Sequence, residues 1–376
     1  MKLLIIPTFY EEKNFMQNEI REQIQNKAEE LSLIHKHLLL TWATGCGKGR
    51  AVMKVIAASK SDKKWLVICP EILQVENFKN DLEKHGFSYL LTTKIEEVIC
   101  YASFKNYVGG SYNIALNECH RLSELRYNVA ESIEFDQYNI EFATGIADVI
   151  ESVYKISTYF EYNIPLTTAI DIGLLPAPKF YIRKVSVTKE QSEQLRKLER
   201  TYKFWKAKYE RERQGWQLNK LKKVRGESKT LLSEFKTEAV KKLISQLGDK
   251  RFICFTGSIQ QCNDLGEEYA MHSHKTKTDN IKILNDFNEF KINRLIVNRM
   301  GREGLNLEEI EATIITQLDS GYDEGLSFLQ ATGRGLRGIE PEIYLFYIDY
   351  EQDKTYLNRA ISNINKKWII WDIDSS

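Results

Sequence analysis

The sequence predicts an α/β protein: two parallel-sheet lobes with a basic helical insertion between them. Three observations carry that prediction. Short apolar runs alternate with amphipathic stretches from residue 37 to about 150, and the same alternation returns after Lys250. The chain in between is dominated by long charged side chains. Uniformly apolar strands separated by helical stretches argue for parallel sheets covered on both faces, where ligands gather at the carboxyl ends of the strands.

In the first half the strand-like runs are His37–Trp42, Trp65–Cys69, Val98–Tyr101, Ile114–Leu116 and Ile140–Ala143. Residues 72–82 carry apolar side chains at helical spacing. In the second half, residues 251–255, 294–297, 313–316 and 343–348 read as strands with helices between them. Domain boundaries are expected to give 1–155, 156–245 and 246–376, the middle part being linker and helical insertion.

Residues 179–249 nearly lack apolar runs and are expected to be helical. Between Lys179 and Arg225 sixteen Lys and Arg stand against five Glu, a local excess of +11. Tyr202, Phe204, Trp205, Tyr209 and Trp216 sit among them. Two readings stand. One is a solvated helix pair whose aromatics pack on the neighbouring domain. The other is a surface that follows a phosphate backbone through Lys220, Lys222, Lys223 and Arg225, with an aromatic ring available to stack on a base.

Bulk properties exclude several classes. A hydrophobic content of 43% and a charged content of 28% are those of an ordinary soluble protein. The formal net charge of +1 excludes a globally basic binder, so nucleic-acid contacts must come from local clusters. The six cysteines are scattered without a CxxC pair, which argues against a disulfide framework or zinc site and for a reducing cytoplasm. The apolar start Leu3–Ile6 is cut off by Pro7 and Glu11, too soon for a signal peptide, and no stretch is long enough to span a membrane.

The segment Thr44-Gly45-Cys46-Gly47-Lys48-Gly49 follows the apolar run Leu38–Trp42 and precedes a helix-like stretch from Arg50 to Ile56. A strand, a glycine turn and a helix in that order cradle phosphate: backbone N–H groups point inward, the helix N-terminus adds positive potential and Lys48 reaches the terminal phosphates. This is the P-loop pattern with one departure. Gly49 stands where a Ser or Thr hydroxyl would ligand Mg²⁺. At the end of another apolar strand, Asn117-Glu118-Cys119-His120 places acidic chemistry, with Glu118 suited to orient or activate a water. Near the C-terminus Arg334 and Arg337 are spaced i, i+3, which puts both guanidinium groups on one helix face, suited to a transferring phosphoryl group.

Taken in order, these segments resemble the superfamily 2 helicases and translocases, closest to the DEAH/DECH branch found in bacteriophage replication and recombination helicases. Thr44–Gly49 is similar to motif I, residues 65–70 to motif Ia, and residues 100–104 to the T-Y-x-S segment. Asn117–His120 resembles motif II, Ala143-Thr144 motif III, residues 252–258 motif IV, residues 302–307 motif V, and Gln330–Arg337 motif VI.

The resemblance implies two RecA-like lobes of the P-loop NTPase type, with Mg·ATP between them and single-stranded or branched nucleic acid, DNA favoured, across their top. It implies that Lys48 holds the β- and γ-phosphates and Glu118 positions the water. His120 and Gln330 would couple nucleotide state to the lobes, and Arg334 and Arg337 would meet the γ-phosphate. Gly304 and Asn306 would lie near the nucleotide, and Pro70, Ser103, Thr256, Ser258 and Asn298 near the strand. It also implies a cytoplasmic protein, in a host cytoplasm if phage-encoded.

Two departures bear on one ion. Gly49 lacks the hydroxyl, and Asn117 replaces the Asp that would hold Mg²⁺ indirectly. Two alternatives therefore stay open: a working ATPase with relaxed metal binding, and a nucleotide-sensing strand binder with little hydrolysis. A motor subunit of a nuclease complex is a further alternative.

Overall fold

The computed structural model describes residues 9–107, 111–119, 139–145, 159–298, 307, 309–318, 341–362 and 364–372. It divides into two compact units, Met1–Pro176 and Ala177–Ser376.

The first unit carries a six-stranded sheet in the order β3-β2-β4-β5-β1-β6, and every neighbouring pair is parallel. The strands are β1 (Leu38–Trp42), β2 (Trp65–Cys69), β3 (Ile95–Cys100), β4 (Asn113–Leu116), β5 (Asn139–Gly145) and β6 (Phe160–Ile164). All five residues of β1 are buried, as are all five of β2, which is why these runs are continuously apolar. Thr41 is the polar exception in β1, and its hydroxyl donates to Glu161 Oε1 at 2.6 Å. The helices are α1 (Phe9–Ile34), α2 (Lys48–Ala58), α3 (Ile72–Lys84), α4 (Leu90–Thr93) and α5 (Leu166–Asp171).

The second unit carries a seven-stranded sheet in the order β13-β7-β12-β11-β8-β10-β9, again parallel throughout. Its strands are β7 (Lys179–Val185), β8 (Phe252–Thr256), β9 (Ala270–Met271), β10 (Arg294–Asn298), β11 (Ala312–Ile315), β12 (Glu342–Ile348) and β13 (Ile369–Asp372). Its helices are α6 (Lys189–Glu212), α7 (Gly215–Glu234), α8 (Thr237–Leu247), α9 (Ile259–Gly266), α10 (Lys277–Asn288) and α11 (Glu351–Ile361). Among the described residues no helix is long and apolar enough to cross a membrane.

The range 156–245, expected as linker and insertion, is divided between the units. β6 lies beside β1 in the first sheet, and β7 lies between β12 and β13 in the second. The expectation that residues 179–249 form helices is corrected at its start, because residues 179–185 are strand. There Phe180, Ile182 and Val185 are buried. Between them Arg183 pairs with Asp372 at 3.1 Å and Lys184 with Asp349 at 2.9 Å. Those cations hide the alternation in the sequence, and their pairing removes them from the basic surface.

Helices α6 and α7 form an antiparallel hairpin that turns at Arg213, held at φ 53, and Gln214. The base of the hairpin is anchored in the second unit's core, where Leu195 and Leu232 pack with Val240, Leu243 and Phe252.

Candidate nucleotide site and strand-facing residues

Because every strand of the first sheet is parallel, the carboxyl ends of β1, β2, β3, β4 and β5 all lie at one edge. The glycine loop, Pro70, Ser103, Asn117–Cys119 and Thr144 therefore share that edge. Within the sheet, Leu40 stands beside Thr144, and Leu116 beside Ala143.

The loop after β1 turns through Gly45 at φ 93 and Gly47 at φ 86, in the left-handed region open to glycine. Helix α2 begins at Lys48, so the N–H groups of its first turn lack intrahelical acceptors and face the loop. Lys48 Nζ donates to the Trp42 carbonyl at 2.6 Å, which holds the ammonium across the loop. Beside its left-handed φ, a Cβ at Gly47 would lie 2.6 Å from Gln25 Nε2 and 3.2 Å from Arg21 Cδ, so those side chains would have to shift. Cys46 is buried, and burial pushes its thiol up to about 11, so it is a neutral part of the loop wall.

Gln25 and Arg21 are site residues that the sequence reading missed. Both come from α1, which packs on α2. Gln25 is fully buried, and its Nε2 donates to the Gly47 carbonyl at 3.1 Å. Burial lowers the Arg21 guanidinium, with Arg50 nearby acting in the same direction. Glu22 joins the two helices, pairing with Arg50 at 3.1 Å and with Lys54. The signal available was the helical apolar spacing Ile20, Ile24, Ala28 and Leu31.

Beyond β4, Asn117 N donates to the Ile68 carbonyl at 2.8 Å, and Tyr101 OH donates to the Asn117 carbonyl at 2.6 Å. The Asn117 side chain lies 3.9 Å from Cys69 Sγ. Glu118 sits at φ 51, the left-handed region that non-glycine residues rarely occupy. Pro70 is buried, and Ser103, half-buried in the short 3₁₀ turn after β3, lies with its Oγ 3.2 Å from Cys100 Sγ. His120, Gly304, Asn306, Gln330, Arg334 and Arg337 lie outside the described residues.

In the second unit the structure brings Thr256, Ser258 and Asn298 together, but with their side chains turned inward. All three are buried. Asn298 Nδ2 donates to the Thr256 carbonyl at 3.1 Å, Thr256 Oγ1 to the Val297 carbonyl at 3.3 Å, and Ser258 Oγ caps α9 by accepting from Gln261 N at 3.0 Å. These side chains build the loop that follows β8, so a strand contact there would be made by backbone. Gly257 between them is hemmed in: a Cβ would meet Gln317 Cβ and Ser233 Cβ, each at 2.7 Å.

Behind that loop is a buried polar network. Ser233 Oγ bonds Gln261 Oε1 and accepts from Gly257 N at 2.9 Å, while Thr316 Oγ1 donates to Gln261 Oε1 at 2.7 Å. Next to it Lys236 and Asp353, both fully buried, pair at 2.7 Å. Lys236 also donates to the Thr316 carbonyl at 2.9 Å, and Asp353 accepts from Ile348 N at 2.7 Å. Desolvation pulls the Lys236 ammonium down, and the Asp353 carboxylate opposes that shift.

On the hairpin, Lys220, Lys222 and Lys223 are exposed. Arg225 is turned inward, its guanidinium 4.4 Å from the Tyr202 ring centroid and 5.8 Å from that of Tyr356.

Comparison with known proteins agrees with this architecture. Residues 235–338 match the family model described as the helicase conserved C-terminal domain. A 160-residue stretch is 28% identical to the UvrABC system protein B of Methanobrevibacter smithii, covering 39% of this chain and 23% of that protein's length. The fold is similar to the Hef helicase domain of Pyrococcus furiosus, with a TM-score of 0.55 and 14% identity over 90% of this chain and 96% of that one. It is also similar to S. cerevisiae Dbp5 bound to RNA and ADP BeF3, with a TM-score of 0.59 and 10% identity over 89% of this chain and 85% of that one. The two parallel-sheet units thus have the fold of the RecA-like lobes in those structures, and within the second unit residues 235–338 match the helicase C-terminal domain.

Proposed function

We propose that the protein is a nucleic-acid-dependent ATPase of the helicase or translocase type, acting on single-stranded or branched DNA. The observation that supports it best is the glycine loop with Lys48 in a chain that also matches the helicase C-terminal domain. The loop fits a triphosphate. Two left-handed glycines and the first turn of α2 present backbone donors, and Gln25 closes the side where a Cβ at Gly47 would intrude. ATP, when bound, supplies the phosphoanhydride whose hydrolysis drives the cycle. In this reading Lys48 holds the terminal phosphates, and Glu118, aimed by its left-handed backbone, orients the attacking water. Gln330, Arg334 and Arg337 are proposed γ-phosphate partners from the second lobe, with His120 coupling them to the nucleotide. Gly304 and Asn306 are proposed neighbours of the nucleotide. The sequence Asn117–His120 favours the DEAH/DECH branch, and with it DNA and a bacteriophage-type relationship.

The residues do not supply the usual protein ligands for Mg²⁺. Gly49 has no side-chain oxygen, and Asn117 is neutral with its side chain near Cys69. No step is therefore assigned to a protein-held ion. Space is not the obstacle, since a Cβ at Gly49 would meet nothing within 4 Å. Gly49→Ser combined with Asn117→Asp should therefore lower the Mg²⁺ concentration needed for half-maximal turnover by roughly tenfold, one charge-assisted ligand set being worth about 1.5–3 kcal/mol. A Mg²⁺ titration of ATPase activity reads this out. Fast turnover by the double variant beside undetectable turnover by the native chain would favour the second reading, a nucleotide-sensing strand binder.

The test of the function itself is ATP turnover by the chain with and without single-stranded DNA, single-stranded RNA and forked duplex. Stimulation by DNA above RNA is expected. Absence of turnover under all four conditions would remove the motor reading.

A further inference from the structure

We propose that the outward face of α6 is a binding track for a single-stranded polynucleotide, ending at Phe204 as a base-stacking platform. This rests on the helicase reading above and assigns its strand to a surface outside the conserved motifs.

Successive residues of an α-helix turn by about 100°, so Lys189, Arg196, Arg200 and Phe204 fall within one stripe about 80° wide. From Lys189 to Phe204 the stripe runs about 22 Å, at about 1.5 Å per residue. A groove of about 590 Å³ lies along its first part, up to Arg200, lined by Lys189, Arg196, Lys197 and Arg200, with Glu193 as its acid. Arg196, Lys197 and Arg200 are exposed, and among the described residues no carboxylate pairs with them. Neighbouring cations off the stripe behave differently: Lys206 pairs with Glu210 at 3.8 Å. The stripe thus holds cationic heads ready for phosphates.

At its far end Phe204 is 60% exposed and Trp216, from the start of α7, is 48% exposed. Phe204 meets Trp205 edge to face at 5.1 Å, and Trp205 meets Trp216 likewise at 5.5 Å. Lys208 lies over both indoles, at 5.5 and 5.3 Å from their centroids. A line of unpaired cations leading to exposed rings is complementary to a polymer that carries both phosphates and flat bases. An acidic protein or an anionic lipid surface would use the cations but has no flat bases to meet the exposed rings at the far end.

Helix α7 lacks this alignment. Lys220 and Lys222, two residues apart, diverge by about 160° around the axis. Lys223 pairs with Glu227 at 3.9 Å, and Arg225 is held over Tyr202. The cations singled out from the sequence therefore point in different directions.

The test is fluorescence anisotropy of a labelled oligodeoxythymidylate with the full chain across a salt series. Arg196→Glu, Lys197→Glu and Arg200→Glu together should weaken binding by on the order of a hundredfold at low salt. They should also make the slope of log affinity against log salt shallower by about 2, at about 0.7 per phosphate contact. Phe204→Ala should weaken binding roughly tenfold with the slope unchanged, because stacking is not a counterion effect. The charge-matched set Lys220→Glu, Lys222→Glu and Lys223→Glu should weaken it distinctly less than the α6 set. Thermal melting of each variant separates lost contacts from lost structure, and the uncharged Phe204→Ala arm stands independently of the reversals. If the native chain binds the strand and the α6 set binds as well as native, or no worse than the α7 set, the track is overturned. If the native chain binds no strand at any salt, the helicase reading fails first.

Discussion

Lys48→Ala should reduce strand-stimulated ATP turnover by roughly 10²–10³-fold while leaving the protein folded. The two effects differ in size because they arise from different interactions. Among the described residues Lys48 Nζ makes a single hydrogen bond, to the Trp42 carbonyl. Losing it leaves the carbonyl of buried Trp42 without that donor, at a cost of about 1–3 kcal/mol, less than the stability of an ordinary domain. During the reaction the ammonium would face charge growing on the terminal phosphates, and removing one preorganised donor of that kind costs about 2.7–4 kcal/mol of barrier. Phosphate release and a thermal melt on the same preparation check both halves. Lys48→Arg should rescue little, since the planar guanidinium cannot occupy the site of a compact ammonium. Turnover within a factor of about three of native for Lys48→Ala would show that the loop does not carry the chemistry.

Lys236→Met should destabilise the second lobe by about 3–5 kcal/mol, the usual consequence of stripping one partner from a buried ion pair. Both groups are fully buried, and their 2.7 Å contact is not screened by water. Without the ammonium, Asp353 keeps its bond from Ile348 N but lies uncompensated in the core. The Thr316 carbonyl also loses its donor. Asp353→Asn should cost a similar amount for the mirrored reason. The double variant Lys236→Met/Asp353→Asn should recover part of the loss, because it leaves no isolated charge. Denaturant melts of the four proteins form the cycle. Additive single losses would mean that the two groups are stabilised separately and not as a pair.

The central strands of both sheets are readable in the sequence because burial on two faces demands uninterrupted apolar residues, as in Leu38–Trp42 and Phe252–Thr256. β6 and β13 lie at sheet edges, where one side faces solvent, and Phe160–Ile164 is correspondingly mixed in character. β7 is internal, but its paired cations imitate a charged helix. In the site, the glycine loop is legible because local backbone geometry forces its composition. Gln25 and Arg21 are not, because only tertiary packing of α1 brings them to Gly47. Thr256, Ser258 and Asn298 follow the motif pattern, yet burial decides that their side chains serve the loop itself. Which lysines line up on the hairpin depends on where α6 ends and α7 begins, two residues apart, and a charge count carries no such phase.

The place of β1 in its sheet has a consequence for biosynthesis. It is flanked by β5 and β6, and the first of these starts at Asn139, long after β1 has ended at Trp42. A nascent chain emerging from the ribosome therefore carries the strand behind its glycine loop without a neighbour until Asn139 and the rest of β5 have been made. Closing so long a connection is slow, and an apolar strand waiting for it is exposed to aggregation in the meantime. Chaperone demand during synthesis should accordingly fall once Ile164 has cleared the exit tunnel, when both flanks of that strand can form.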